Sequence, residues 1–267
     1  MNTRCKICGG SGIKYDRNIE AGSSGELKIC DCVEKQCSCN GLEPYQVFDD
    51  KGNQGWCSCR SVRMKLARVK KAFRESQIPR KYQWKFVEDF VVVNDAAGRL
   101  ISIASMIRGD SAGSGKGYYL WGNAGSGKTL LACIILQELM LKHGQRGIFI
   151  DLSRQFFRRL KRSYDVTDEL YGREGQIMDE LIEVPFLVID DFGVQRNTDW
   201  ESETLYNLID SRYEQERLTI LTSNIHISSF QKIAYGRVYS RIMEMCNIVK
   251  VDLPDYRENF KREHNFT

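Results

Sequence analysis

The stretch Tyr118-Tyr119-Leu120-Trp121-Gly122-Asn123-Ala124-Gly125-Ser126-Gly127-Lys128-Thr129 decides how this chain is read. Its second part has the form G-x-x-x-x-G-K-T, and the setting suits the motif. Residues 118–121 are apolar and aromatic, as a strand should be, and residues 130–139 follow as a helix that is apolar nearly all round. The run Gly122, Asn123, Ala124, Gly125, Ser126 and Gly127 can curl so that successive N–H groups point at phosphate oxygens, at a helix N-terminus that already favours an anion. Lys128 is expected to reach the β- and γ-phosphates, and the Thr129 hydroxyl to ligate magnesium. The nearby Gly113-Ser114-Gly115-Lys116 lacks the first glycine and the following hydroxyl, and reads as a flexible loop.

Downstream segments find places around that loop. Residues 147–151 form a further strand, spaced as in a β-α-β unit. Phe186-Leu187-Val188-Ile189-Asp190-Asp191-Phe192-Gly193 is an apolar strand ending in two carboxylates, the Walker B pattern. Asp190 is expected in the magnesium sphere, and Asp191 where a water can be polarised towards the γ-phosphate. A helix over 201–215 leads to the strand Leu218-Thr219-Ile220-Leu221-Thr222-Ser223-Asn224. Its polar end should lie between the two motifs; Asn224, with Ser223 behind it, is the choice for orienting the water, and helix capping is the plain alternative. A helix over 236–244 sets Arg237 and Arg241 four residues apart on one face, suited to a phosphate or to solvent.

The first 59 residues hold eight of the ten cysteines, as Cys5-x-x-Cys8, Cys30-x-Cys32, Cys37-x-Cys39 and Cys57-x-Cys59. With no secretory pattern, close cysteine pairs point to metal thiolates rather than disulfides, and four pairs suffice for two tetrahedral zinc sites. Two sequential ribbons are favoured over a cross-braced pairing; iron–sulfur ligation is a further alternative. So few apolar residues occur here that metal binding would supply much of the folding free energy. Cys133 and Cys246 lie in apolar settings and read as core.

Charge is unevenly placed. Residues 61–85 carry nine Lys/Arg against one Asp/Glu, so this connector holds the basic excess behind the net charge of +4. Such a stripe is either a nucleic-acid footprint or a solvated helix face. It reads as an amphipathic helix over 60–78 with Val62, Leu66, Val69 and Phe73 on the apolar side. The aromatics of residues 78–90 could cover a base or pack the core edge. Residues 153–164 interleave Phe156, Phe157 and Tyr164 with arginines, either a single-strand surface or a helix with its rings in the core. A helix is also expected over 100–107. No apolar run is long enough to span a membrane and no signal peptide is present, so a cytoplasmic location is expected. The organisation expected is a Cys-rich zinc-binding domain (1–60), a basic helical linker (61–85) and an ATPase domain (86–267).

Taken together, residues 122–129 and 186–193, Leu221-Thr222-Ser223-Asn224, Gly236-Arg237-Val238-x-Ser240-Arg241 and Tyr256-Arg257 resemble the bacterial replicative helicase loaders (DnaC and DnaI), which are AAA+ ATPases, over residues 60–260. The order C-x-C-Arg, basic helix, Ile-Pro-x-x-Tyr is like the loaders that carry an amino-terminal zinc region. The resemblance implies an α/β fold: a five-stranded parallel sheet between helices, with little or no C-terminal lid. It makes Arg241 the arginine finger reaching a neighbour's γ-phosphate, Arg257 the second sensor and Asn224 the first. It also implies ATP with magnesium, a homo-oligomeric ring or spiral, an amino-terminal grip on a hexameric replicative helicase, and single-stranded DNA near residues 156–164. Two zinc sites are more than the family leads one to expect. The function expected is an ATPase that loads a replicative DNA helicase on single-stranded DNA. The alternatives are an IstB-like transposition helper on duplex DNA, or a zinc-dependent adaptor with a structural nucleotide site.

Overall fold

The computed structural model describes residues 5–16, 26–87, 98, 102, 116–193, 198–232 and 236–255. Of the helix expected over 100–107 only Ser102 is described, and Tyr256-Arg257 lie outside the described residues.

The cysteine-rich start, poor in apolar side chains, makes only small sheets. Strands β1 (Ile13–Asp16) and β2 (Glu26–Ile29) pair antiparallel and lead to the one-turn helix α1 (Asp31–Glu34); β3 (Gln46–Phe48) and β4 (Gln54–Trp56) form a second antiparallel pair. Helix α2 (Arg60–Glu75) starts directly after Cys59 and buries Val62, Val69, Ala72 and Phe73, the face its apolar spacing predicts. Strand β5 (Gly117–Trp121) enters the phosphate loop, and α3 (Lys128–His143) leaves it. There follow β6 (Gly147–Asp151), a π-turn over Leu152–Phe156, α4 (Phe157–Arg162), α5 (Glu174–Glu183), β7 (Phe186–Asp190), α6 (Asp199–Glu214), β8 (Leu218–Ser223), α7 (Gly236–Met245) and β9 (Cys246–Lys250).

The last five strands form one parallel sheet in the order β6-β7-β8-β5-β9. The α/β fold expected from the motifs is therefore present, with helices on both faces as a buried parallel sheet requires. Alternate strand residues feed two cores. Leu120, Phe149, Val188 and Ile220 join α2 and α3, whereas Tyr119, Ile150, Ile189 and Leu221 join the layer of α4 to α7. Helix α3 lies between the sheet and α2, which is why it is apolar nearly all round. Gly117 is required where β5 meets β8, because a Cβ there would stand 1.8 Å from the Thr219 carbonyl oxygen.

Helix α2 joins the cysteine-rich region to the sheet. Lys65 Nζ donates to the Lys142 carbonyl at 2.8 Å, and the Ser76 carbonyl accepts from Phe149 N at 2.8 Å, satisfying a donor on edge strand β6. Ile13, Leu27 and Ile29 belong to the same hydrophobic cluster as Leu131 and Leu136 of α3. Trp84 stacks on Phe73 with centroids 5.0 Å apart, Phe86 packs on Tyr15 at 4.8 Å, and Gln137 holds the turn through Trp84 N at 2.7 Å. The described aromatics of the 78–90 segment thus pack the core edge. Among the described residues no helix is long and apolar enough to cross a membrane.

Candidate nucleotide and metal sites

The loop between β5 and α3 owes its shape to Gly125 and Gly127, at φ +79° and +88°, where a side chain would be strained. It leaves the N-terminus of α3 just beyond the carboxyl end of β5. Lys128 is folded onto the loop, donating to the carbonyls of Gly122 at 2.9 Å and Asn123 at 2.7 Å. Ser126 Oγ is buried without a hydrogen-bond partner. An orphaned hydroxyl beside a curled loop fits an absent phosphate. The segment after β9 runs alongside: Val251 N donates to the Trp121 carbonyl at 2.7 Å, and the Asp255 carboxylate lies against Gly125.

Asp190 ends β7, and Thr129 Oγ1 donates to its two carboxylate oxygens at 2.9 and 3.2 Å. Hydroxyl and carboxylate thus converge as magnesium ligands do, and the residues present fit that ion. Burial pushes the Asp190 carboxyl up to about 6; the Thr222 and Thr129 hydrogen bonds oppose the shift, and the charges of Asp191 and Asp151 add to it. Asp191 has φ +59°, unusual for a non-glycine residue and of a kind that clusters at functional sites.

Two residues at this site escaped the sequence reading. Thr222 Oγ1 donates to Asp190 at 2.5 Å and accepts from Asp191 N at 3.1 Å, so one hydroxyl fixes both carboxylate-bearing residues. Asp151 ends β6 opposite Asp190, and carboxylate oxygens of Asp151, Asp190 and Asp191 all lie within 4.8 Å of one another. Asp151 was findable, since Gly147-Ile148-Phe149-Ile150-Asp151 is an apolar strand ending in a carboxylate just as β7 is.

Other expected residues are placed less directly. Asn224 is exposed just beyond β8, while Ser223 Oγ donates to the Phe192 carbonyl at 2.7 Å and accepts from Ile225 N. Arg241 is engaged within its own chain: it pairs with Asp210, donates to Tyr206 Oη at 3.3 Å and lies over the rings of Tyr206 and Tyr213. To reach a neighbour it would have to leave this cage. Arg237 is exposed. Of the segment 153–164, Phe156, Phe157 and Leu160 are core and Tyr164 is 49% exposed, so base stacking would be left to that one ring. Arg158, Arg159 and Arg162 edge a cavity of about 210 Å³ floored by Ile150, Ile177 and Leu181.

The eight amino-terminal cysteines form two groups, Cys5, Cys8, Cys30 and Cys32, then Cys37, Cys39, Cys57 and Cys59, each with sulfurs within 4.8 Å of one another. Each group comes from one continuous segment, and all eight are free thiols. In the second, Cys37 to Cys39, Cys37 to Cys59 and Cys39 to Cys59 are 3.6, 3.5 and 3.5 Å apart. A tetrahedron with Zn–S bonds of about 2.3 Å has S···S edges of about 3.8 Å, so the donor set fits zinc. Backbone N–H groups, first that of Cys59, bring the Cys57 thiol down to about 5, whereas burial pushes Cys59 up to about 12. A bound cation would let such crowded thiols ionise together.

Comparison with known proteins supports the same ATP-binding core. Escherichia coli YdaV is 27% identical over 176 residues, covering 66% of this chain and 68% of that protein. The Escherichia coli replicative helicase loader DnaC is 24% identical over 175 residues, covering 66% of this chain and 69% of that protein. The crystal structure of the DnaC helicase loader superposes with TM-score 0.56 at 26% identity, covering 65% of this chain and 100% of that one. The sequence profile of the family described as IstB-like ATP binding protein matches residues 60–264, and with the AAA+ P-loop fold in place the chain belongs to that family.

Proposed function

We propose that the protein is an ATPase that holds a hexameric replicative helicase and places it on single-stranded DNA under ATP control, in the cytoplasm. The observation that carries this reading is the Thr129–Asp190–Thr222–Asp191 network beside the phosphate loop, in a chain similar to named helicase loaders. Lys128 and the loop N–H groups would hold the triphosphate. Thr129 and Asp190 would hold magnesium, which supplies charge neutralisation at the phosphate oxygens. Asp191, whose backbone N–H is held by Thr222, would take a proton from water. Arg241 would act on a neighbouring subunit in a ring or spiral, and Arg257 as the second sensor. Arg158, Lys161 and Arg162, exposed on α4, supply cations for a single-stranded DNA backbone.

Acid should weaken this site in a defined window. Asp190 titrates near 6, so magnesium must displace a proton below that pH; the affinity for magnesium–ATP should fall about tenfold between pH 7 and pH 5. The nucleotide-free protein behaves in the opposite sense. The folded carboxyl is raised above its unfolded value of 3.8, so this group's contribution to stability is full below about pH 4 and is lost as pH rises through 6. Calorimetric titration at both pH values checks the first statement; an Asp190→Asn variant should show no such slope.

The helicase grip is assigned to the second ribbon, which precedes the ATP-binding segment matched by the family. Phe48 is 69% exposed and Trp56 55% exposed on one face of the β3–β4 hairpin, and the Arg60 guanidinium lies 4.1 Å over the Trp56 ring. Exposed aromatics held in place are anchors for a protein partner. A Phe48→Ser, Trp56→Ser double variant should lose at least about tenfold in affinity for the helicase, worth about 1.4 kcal/mol, with basal ATP hydrolysis unchanged. Co-sedimentation with the helicase checks it. ATP-dependent filaments on duplex DNA without helicase retention would instead favour a transposition helper.

A further inference from the structure

Helix α2 carries a row of cations, and the structure gives several of them different work. Arg60 covers Trp56, Lys65 holds the Lys142 carbonyl at the end of α3, and Lys70 pairs with Glu26 of β2 at 2.7 Å. Arg63 turns instead into the second cysteine group. Its backbone N donates to the Cys59 carbonyl at 3.0 Å, one turn back along the helix. Its guanidinium lies beside the Cys59 and Cys37 thiols. It fills the space over Gly41, where a Cβ would stand 2.8 Å from Nη2, and Cζ lies 5.9 Å from the Tyr45 ring centroid. Gly41 and Asn40, both left-handed, make the turn after Cys39 that opens this space. Arg63 Nε is buried and has no hydrogen-bond partner.

Four thiolates around a divalent ion carry a net charge of about −2. Here that charge would sit where Cys59 is fully buried and Cys57 nearly so. Enclosing it without compensation is expensive, and a guanidinium beside these sulfurs, with a buried and unpartnered Nε, offsets part of the cost. N–H donors to ligand sulfur also fix ligand orientation and draw electron density from the metal–sulfur bonds.

We propose that Arg63 is the charge-balancing and positioning residue of a metal ion bound by Cys37, Cys39, Cys57 and Cys59, and that through it this site and α2 form one unit on the ATP-binding core. This rests on reading the two cysteine groups as zinc sites. Helix α2 is fixed at its start by Cys59, along its length by α3 and past its end by β6. Metal occupancy is thereby felt in the helix that packs on the phosphate-loop helix.

The test uses the full chain loaded with zinc and, separately, with cobalt(II). It compares wild type, Arg63→Met, Arg63→Lys and, as a control for loss of one charge on α2, Arg68→Met. Competition with a chelator reports affinity; the sulfur-to-cobalt charge-transfer bands report electron density at the thiolates. Arg63→Met is expected to release one of its two metal ions about tenfold more readily, with the other unchanged, and to move the charge-transfer bands to lower energy. Arg63→Lys should fall between, and Arg68→Met should match wild type. The proposal is overturned if Arg63→Met keeps wild-type affinity and bands. It is equally overturned if Arg63→Met and Arg63→Lys lose affinity alike with bands unmoved, since Arg63 then serves only to pack the fold. A wild-type chain holding fewer than two metal ions would overturn the zinc reading itself, a result separable from both.

Discussion

Replacing Arg212 by methionine is expected to destabilise the protein by about 3–5 kcal/mol and to lower its melting temperature by about 10 °C. Arg212 is fully buried in α6. It donates to the carbonyls of Leu181 at 2.6 Å, Ile182 at 3.2 Å and Val184 at 2.8 Å, to that of Leu218 at 2.8 Å, and to Thr219 Oγ1 at 2.9 Å. One planar group thus satisfies the end of α5, the approach to β7 and the start of β8. Burial pulls its guanidinium down to about 9, a sign of how costly the charge is there. Methionine fills much of the volume but leaves several buried carbonyls without donors. Lysine should recover only part of the loss, because a single ammonium cannot span the same acceptors. Thermal and urea melts check this; an Arg212→Met protein that melts with wild type would contradict it.

The second large effect concerns chemistry. Asp190→Asn should lower ATP hydrolysis by about 100-fold or more, because a neutral amide cannot balance a divalent ion beside the developing phosphate charge. Folding should be little affected: the amide oxygen can still accept from Thr129 and Thr222, and removing a buried carboxyl relieves repulsion with Asp151 and Asp191. Steady-state hydrolysis with helicase and single-stranded DNA present measures it, with far-ultraviolet circular dichroism to confirm the fold. Full turnover in the variant would remove Asp190 from the site.

Much of the nucleotide site was readable because its parts are local patterns. A glycine-rich turn before a helix, and an apolar strand ending in carboxylates, are each written in fewer than ten consecutive residues. Thr222 was not readable in the same way. Threonine is ordinary in a buried strand, and only the position of β8 beside β7 brings its hydroxyl to Asp190. The spacing of apolar residues identified α2 as a helix but not what covers it; 52 residues separate it from its partner α3, and no periodicity within α2 names it. The same holds for Trp84 and Phe86, whose partners Tyr15 and Phe73 lie upstream. Arginine on a helix face carries no label either. Arg212 is buried and structural, Arg241 is caged by Asp210 and two tyrosines, and Arg158 is exposed.

Position in the chain also orders the proposed action. The phosphate loop, Asp190 and the segment carrying Asp255 meet at one end of the sheet, and in the proposed function an incoming triphosphate would meet the carboxylate that lies against Gly125. The hairpin bearing Phe48 and Trp56 is joined to the same core through α2. In the proposed function, the partner grip and the nucleotide site are connected through α2.

The most direct measurement is transfer of a replicative helicase from the chain's own cell onto single-stranded circular DNA, followed by retention of the helicase on the circle after gel filtration. With ATP, the wild-type chain should raise the amount of helicase on DNA, and the Lys128→Ala and Phe48→Ser, Trp56→Ser variants should not. Equal loading with and without the chain, or loading unaffected by Lys128→Ala, would contradict the proposed function.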